Sequence, residues 1–126
     1  MERATIILFG STGDLTKRKL IPALYHLFSK GKLSKDSAIV CLGRRVMTKA
    51  EYIDFLELPH FISNINKEIM DDFLSLVYYE HISYEQPDAQ RIQQSLQAIE
   101  QAKTPNRILY VATPPDLFVP IVRVIE

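Results

Sequence analysis

Ala4-Thr-Ile-Ile-Leu-Phe9-Gly10-Ser-Thr-Gly13 is the segment from which the architecture of this chain can be predicted. The residues before Gly10 are mostly apolar and do not alternate with polar ones, which is typical of a strand buried on both faces of a parallel sheet. Two glycines then lead into an amphipathic segment with cations in its first turns. A buried strand, a glycine turn and a helix N-terminus in succession can bind phosphate, because backbone N–H groups and the helix dipole favour an anion there.

The glycine spacing alone leaves two interpretations open. Gly10 permits a sharp turn and a close approach of the backbone to a ligand, and Gly13 leaves room for the helix to pack against the strand. The pattern G-x-x-G is shorter than the dinucleotide fingerprint G-x-G-x-x-G. The alternative is an ordinary strand-to-helix turn in which Ser11 or Thr12 caps the helix. A Walker-type loop is excluded, because the chain contains no G-x-x-x-x-G-K-[ST].

Strand and helix patterns alternate along the whole chain, in a single predicted domain (1–126). Strands are predicted at 4–9, 38–42, 76–81 and 107–113, and helices at 13–30, 48–58, 65–74, 88–102 and from 114 onward. This order predicts an α/β fold, a doubly wound (Rossmann-like), mostly parallel sheet with helices on both faces.

Local signals refine the predicted helices. In the first helix, a core stripe is predicted at helical spacing, formed by Leu20, Ala23, Leu24, Leu27 and Phe28. Pro22 is expected to kink that helix and Gly31 to cap its end. Thr48 and Glu51 have the spacing of a capping box.

Composition restricts the possible functions. The chain has 126 residues, of which 47% are hydrophobic, and 15 cations balance 15 anions. No global field therefore attracts nucleic acid or an anionic membrane, and no apolar stretch is long enough to span a bilayer. The single cysteine, Cys41, excludes an internal disulfide framework, and the absence of a signal peptide pattern agrees with a cytoplasmic location. The three histidines lack the spacing of metal ligands.

Two arginines follow the second predicted strand. Gly43-Arg44-Arg45 occupies the point where an NAD site places a carboxylate for the ribose 2′-hydroxyl and an NADP site places arginine for the 2′-phosphate. A guanidinium group binds phosphate through two parallel hydrogen bonds. A solvated surface pair is the alternative, but the position at a strand end favours NADP.

The longer string Gly10-Ser-Thr-Gly-Asp-Leu-Thr-Lys-Arg-Lys19-Leu-Ile-Pro22 resembles the opening of the glucose-6-phosphate dehydrogenases, G-x-x-G-D-L-A-x-[KR]-K with an apolar pair and a proline. Thr16 departs from the family's usual alanine. A second segment, from Arg107 to Phe118, resembles the family's strand that ends in a diproline. The resemblance covers essentially the whole chain, but only the cofactor domain of that family.

The resemblance implies an NADP-dependent oxidoreductase of the pentose phosphate pathway that converts glucose 6-phosphate to its lactone. The implied cofactor-binding residues are Gly10, Ser11, Thr12, Gly13, Asp14, Leu15, Lys17, Arg44, Arg45, Ala112, Pro114 and Phe118. Lys19, which as a helical side chain leans toward the N-terminus, is implied to contact the substrate. On residue pattern alone, a solvated lysine and a diproline that starts a helix are adequate alternatives.

The family's catalytic histidine and its second substrate lysine belong to segments that these residues do not contain. The chain is therefore expected to be the N-terminal part of a longer two-domain enzyme, to lack catalytic activity and to be monomeric, since family members dimerise through the other domain. The alternative is a non-catalytic module that binds and senses NADP(H). The coding sequence after Glu126 distinguishes the two.

Overall fold

The computed structural model describes residues 4–83, 89–100 and 106–111. The strands in these ranges are β1 (Ala4–Phe9), β2 (Ala38–Gly43), β3 (Val77–His81) and β4 (Asn106–Val111). A π-helical segment (Thr16–Leu20) precedes the α-helices, which are α1 (Ile21–Ser29), α2 (Lys49–Leu56), α3 (Leu58–Phe61), α4 (Lys67–Leu74) and α5 (Ala89–Glu100). None of the helices in the described ranges is long and apolar enough to cross a membrane.

The strands form one sheet in the order β3-β2-β1-β4, and each neighbouring pair is parallel. The central strands β1 and β2 are buried almost throughout, as their unbroken apolar runs predict. The chain moves outward from β1 to β3 and then returns to the other side of β1. This reversal of strand order confirms the predicted doubly wound α/β fold.

Side chains of alternate parity along β1 and β2 point into two separate cores. Ile6, Leu8 and Ile39 belong to the core that also contains buried side chains of α1 to α4. Ile7 and Val40 belong to the opposite core, in which Ile92 and Leu96 of α5 are buried. Helices therefore cover both faces of the sheet, as predicted.

The first helical segment is not a uniform α-helix. Its N-terminal part is a π-helical segment, and the Ile21 N–H donates to the carbonyl of Thr16, five residues earlier. Pro22 follows directly, at the first turn of α1. Proline has no N–H and its ring crowds the carbonyl four residues before it, so widening the preceding turn accommodates it. A kink was predicted at Pro22, and the structure has a π-helical segment directly before it.

The predicted core stripe of this helix was confirmed for two of its five residues, Phe28 and Leu24. Leu24 is half-buried and packs against the core, whereas Leu20 is only half-buried and Ala23 and Leu27 are exposed. The buried side chains are Ile21, Pro22, Tyr25 and Phe28. Helix α1 is apolar around much of its circumference, so periodicity allowed two faces. The aromatic contacts of Tyr25 and Phe28 with Phe73 of α4 select the one that packs.

The face of α1 that carries the other residues of the predicted stripe borders an apolar groove beside β4. The lining includes Leu20, Ala23, Leu24 and Leu27 together with Ile108 and Tyr110. Ile108 and Tyr110 pair in register with Ile6 and Leu8, which places the groove on the α1 side of the sheet.

The other helix signals were largely confirmed. Thr48 and Glu51 form both bonds of the capping box, and Gly31 adopts a φ of +72° after α1. Helix α2 ends before Pro59 as predicted, at Glu57 in the left-handed region, but Pro59 then begins the short helix α3, which was not predicted. Helix α4 begins at Lys67, two residues later than expected, and Asn66 caps it. The predicted helix from 114 onward lies outside the described residues.

Cys41 is fully buried in β2, and its thiol chemistry tests that position. Desolvation raises the pKa of its thiol from 9.0 to about 12, and a hydrogen bond with Tyr52 opposes this more weakly. Because the thiol has a higher pKa in the folded chain than in the unfolded chain, its contribution to the free energy of unfolding is complete below pH 9. This contribution is lost as the pH rises toward 12.

The buried position of Cys41 also predicts its reactivity. At neutral pH we expect no alkylation of the folded chain and rapid alkylation in urea, measured by mass spectrometry. Rapid labelling of the folded chain would contradict the buried position.

Candidate functional site

The carboxyl ends of β1 and β2 bring two turns together at one edge of the sheet. Phe9 pairs with Leu42, so the glycine turn (Gly10–Gly13) and the arginine turn (Gly43–Arg45) start side by side. The Ser11 N–H donates to the carbonyl of Leu42 at 3.1 Å, so the glycine turn is bonded to the end of β2, next to the arginine turn. In doubly wound sheets, ligands bind at this edge, near the point where strand order reverses.

The glycine turn is closed by bonds to one carbonyl. Gly10 has a φ of +79°, which only glycine adopts readily. Its carbonyl accepts from the Gly13 N–H at 3.0 Å and from Thr16 Oγ1 at 3.1 Å. Thr16 is buried, and its side chain bonds the start of the helix to the glycine turn. In the sequence it stood out only as a departure from alanine.

Ser11 carries a buried hydroxyl at the start of the glycine turn. The side chain is fully buried, and Oγ has no hydrogen-bond partner among the residues that the structure describes. It therefore does not cap the helix there, contrary to the alternative interpretation of the turn. An unsatisfied buried hydroxyl costs about 1–3 kcal/mol. A phosphate oxygen or a water at the turn could accept from it, so the turn fits an anionic ligand.

Arg44 and Arg45 are exposed at the end of β2. The guanidinium carbon of Arg45 lies 5.1 Å from the centroid of the Phe55 ring, and Lys17 Nζ lies 4.8 Å from the same centroid. Cation–π attraction positions both cations beside the two turns. The positive charge at this edge is therefore partly organised in advance.

The remaining predicted helix residues differ in how they are engaged. Lys17 forms an ion pair with Glu57 at 2.5 Å, which lowers the pKa of that carboxyl. Asp14 pairs with Arg18 at 3.2 Å. Lys19 lies in the π-helical segment and its side chain is exposed, and Leu15 is 48% exposed. The predicted residues Ala112, Pro114 and Phe118 lie outside the described residues.

Two tyrosines connect these turns, and sequence reasoning missed both. The Tyr52 hydroxyl donates to the Ser11 carbonyl at 2.8 Å, and the Tyr79 hydroxyl donates to the Arg45 carbonyl at 2.5 Å. Their rings stack with centroids 4.5 Å apart and an interplanar angle of 24°. They come from α2 and β3, far apart in sequence, so no local pattern could have identified the pair.

Comparison with known proteins agrees with this geometry. Residues 7–126 match the family model described as "Glucose-6-phosphate dehydrogenase, NAD binding domain". The glucose-6-phosphate 1-dehydrogenase of Schizosaccharomyces pombe is 38% identical over 95% of this chain and 25% of its own length. The Bacillus subtilis protein of the same name is 32% identical over 98% of this chain and 26% of its own length.

Solved structures show the same fold. A structure described as "Glucose-6-phosphate dehydrogenase in complex with its substrate glucose-6-phosphate" superposes with a TM-score of 0.83 and 25% identity, covering 99% of this chain and 27% of that protein. The chain thus spans about a quarter of the length of the relatives that it matches. The resemblance drawn from the glycine turn is confirmed: this chain belongs to the family of glucose-6-phosphate dehydrogenase NAD-binding domains.

Proposed function

We propose that this chain is the NADP-binding part of a glucose-6-phosphate 1-dehydrogenase, a soluble cytoplasmic enzyme. The observation that carries the proposal is the joined pair of turns, in which the buried Ser11 hydroxyl and the exposed Arg44 lie on adjacent strand ends. Membership of the family supplies the dinucleotide and the reaction class.

Selectivity for NADP⁺ over NAD⁺ rests on the arginine turn. The segment from Gly43 to Thr48 contains two arginines and no acid. A carboxylate would accept from a 2′-hydroxyl and repel a 2′-phosphate, whereas a guanidinium attracts the phosphate. Arg44 is proposed to hold the 2′-phosphate and the glycine turn the pyrophosphate, with Asp14, Leu15 and Lys17 at the helix entry.

Bound NADP⁺ would supply the hydride acceptor for oxidation of glucose 6-phosphate at its anomeric carbon. In this proposal the chain's own residues bind and orient the dinucleotide, and Lys19 offers an ammonium group to the sugar or its phosphate. In this proposal the general base is supplied by a part of the enzyme outside these residues. We therefore expect the 126 residues alone to bind NADP⁺ weakly and to form no lactone.

Replacement of Arg44 by alanine tests the cofactor assignment. Losing a bidentate, charge-assisted contact of about 1.5–3 kcal/mol should weaken NADP⁺ binding roughly 10- to 100-fold and leave NAD⁺ binding almost unchanged. Isothermal titration calorimetry of both nucleotides measures this. Arg44→Lys, which keeps the charge but loses the planar fork, should fall between the two.

The matched control removes a cation from the opposite edge of the sheet. Lys35 precedes β2, so Lys35→Ala changes the net charge equally without touching the site. It should leave both affinities unchanged. If the Arg44 and Lys35 variants lost NADP⁺ affinity equally, the loss would come from the change in net charge and not from a contact made by Arg44. Failure of the unmodified chain to bind either nucleotide would overturn the proposed function.

A further inference from the structure

The stacked tyrosines form a bridge between the two turns of the site. We use the name tyrosine bridge for Tyr52 and Tyr79. Tyr52 is fully buried and holds the glycine turn through the Ser11 carbonyl. Tyr79 is half-buried and holds the arginine turn through the Arg45 carbonyl. Because the rings stack on each other, displacement of one turn is transmitted to the other through two aromatic side chains.

Gly43 lies under this bridge with no spare volume. A Cβ at this position would lie 2.6 Å from the Tyr79 hydroxyl oxygen and 2.9 Å from the Thr12 methyl carbon. Thr12 belongs to the glycine turn and Tyr79 to β3, so both turns and the bridge meet at one glycine. The separation of the turns is therefore set by close packing and hydrogen bonds together.

We propose that Tyr52 and Tyr79 are positioning residues that fix the separation of the glycine and arginine turns, and thereby set the preference for a nucleotide with a 2′-phosphate over one without. This inference rests on the proposed function, in which the two turns hold different phosphates of one dinucleotide. Neither tyrosine touches the ligand in this proposal. Each acts through the backbone carbonyl that it holds.

The physical reason is preorganisation. A ligand that contacts two turns at once binds best when their spacing is set before binding, because ordering a loop costs affinity. The Tyr79 hydroxyl donates to the turn that carries Arg44 and Arg45, so its loss should weaken the 2′-phosphate contact more than the contacts of the glycine turn. The Tyr52 hydroxyl restrains the glycine turn, which any dinucleotide would contact.

Two variants test the inference. Tyr79→Phe keeps the stacked ring and removes only the hydroxyl, and it should weaken NADP⁺ binding about 3- to 10-fold with NAD⁺ binding changed less than about twofold, since one hydrogen bond is worth about 0.5–1.5 kcal/mol. Tyr52→Phe should weaken both nucleotides by similar factors. Calorimetry gives the affinities, and amide hydrogen exchange without ligand should become faster at 44–46 in the first variant and at 11–13 in the second.

Tyr25→Phe is the matched control. Its side chain is buried, and its hydroxyl accepts from the Asn66 N–H at 3.3 Å, away from the two turns. This variant should change neither the NADP⁺-to-NAD⁺ affinity ratio nor exchange at either turn. A general loss of stability would move thermal unfolding in all three variants, but only a positioning role moves the ratio.

The outcomes separate the bridge from the proposed function. Preferential NADP⁺ binding by the unmodified chain with an unchanged ratio in Tyr79→Phe supports the function and overturns the role of the bridge in selectivity. Absence of nucleotide binding by the unmodified chain overturns the proposed function and the selectivity role together. In that case unchanged exchange at both turns would also overturn the holding role of the tyrosines, and faster exchange would support it.

Discussion

Replacing Gly43 with alanine is expected to destabilise the chain and to weaken nucleotide binding in a single step. The added Cβ would meet the Tyr79 hydroxyl oxygen at 2.6 Å and the Thr12 methyl at 2.9 Å. Neither group can withdraw freely, because Tyr79 is stacked on Tyr52 and Thr12 lies in the closed glycine turn. Overpacking of this kind costs about 1–3 kcal/mol of folding free energy.

The effect on binding follows from the same displacement. Moving either turn should remove at least one charge-assisted phosphate contact of about 1.5–3 kcal/mol, which corresponds to roughly a tenfold or greater loss of NADP⁺ affinity. Urea unfolding and calorimetry on the same preparation measure both effects. Unchanged stability together with unchanged affinity would contradict the close packing at Gly43.

Gly31→Ala is the matched control for this substitution. Gly31 has a φ of +72° and its Cβ would meet no atom within 4 Å, so alanine there is strained without a steric clash. It should lower stability by about 1–2 kcal/mol, the cost of a left-handed conformation, and leave nucleotide affinity unchanged. Comparing the two variants separates the effect of close packing at Gly43 from the general effect of replacing a glycine.

Phe73→Ala is expected to cause the largest loss of stability. Phe73 is fully buried between α4 and α1, with ring centroids 5.6 Å from Tyr25 and 5.9 Å from Phe28. Truncating a buried phenylalanine costs about 3–5 kcal/mol through lost transfer energy and the cavity left behind. Domains of this size are stable by about 5–15 kcal/mol, so a large share of the total would be lost.

Urea denaturation with fluorescence or circular dichroism gives the free energies of unfolding. Phe61→Ala provides the comparison, because Phe61 in α3 is only half-buried and contacts His60 at its ring. Its truncation should cost clearly less than that of Phe73. Equal losses in the two variants would contradict the assignment of Phe73 to the centre of the α1–α4 core.

Much of the fold follows from local sequence. The unbroken apolar runs at 4–9 and 38–42 form strands of a parallel sheet, in which both faces are buried. Thr48 and Glu51 predict the start of α2, since a capping box involves groups only three residues apart. The glycine turn and the family resemblance can likewise be predicted from a short contiguous segment, because phosphate binding at such a turn depends on backbone N–H groups.

The remaining features depend on contacts between distant residues. Periodicity gave α1 two acceptable apolar faces, and its aromatic contacts with Phe73 determined which one is buried. The burial of the Ser11 hydroxyl could not be predicted either, since burial at that turn depends on its neighbours in space.

The tyrosine bridge shows the same division most clearly. Tyr52 and Tyr79 carry no local signal, and they meet only because β3 pairs with β2 and α2 packs on that side of the sheet. The sequence alone therefore determined the strands and the residues of the glycine and arginine turns. Only the tertiary structure decided how far apart those turns lie, because that distance is set by side chains from separate elements packed against each other.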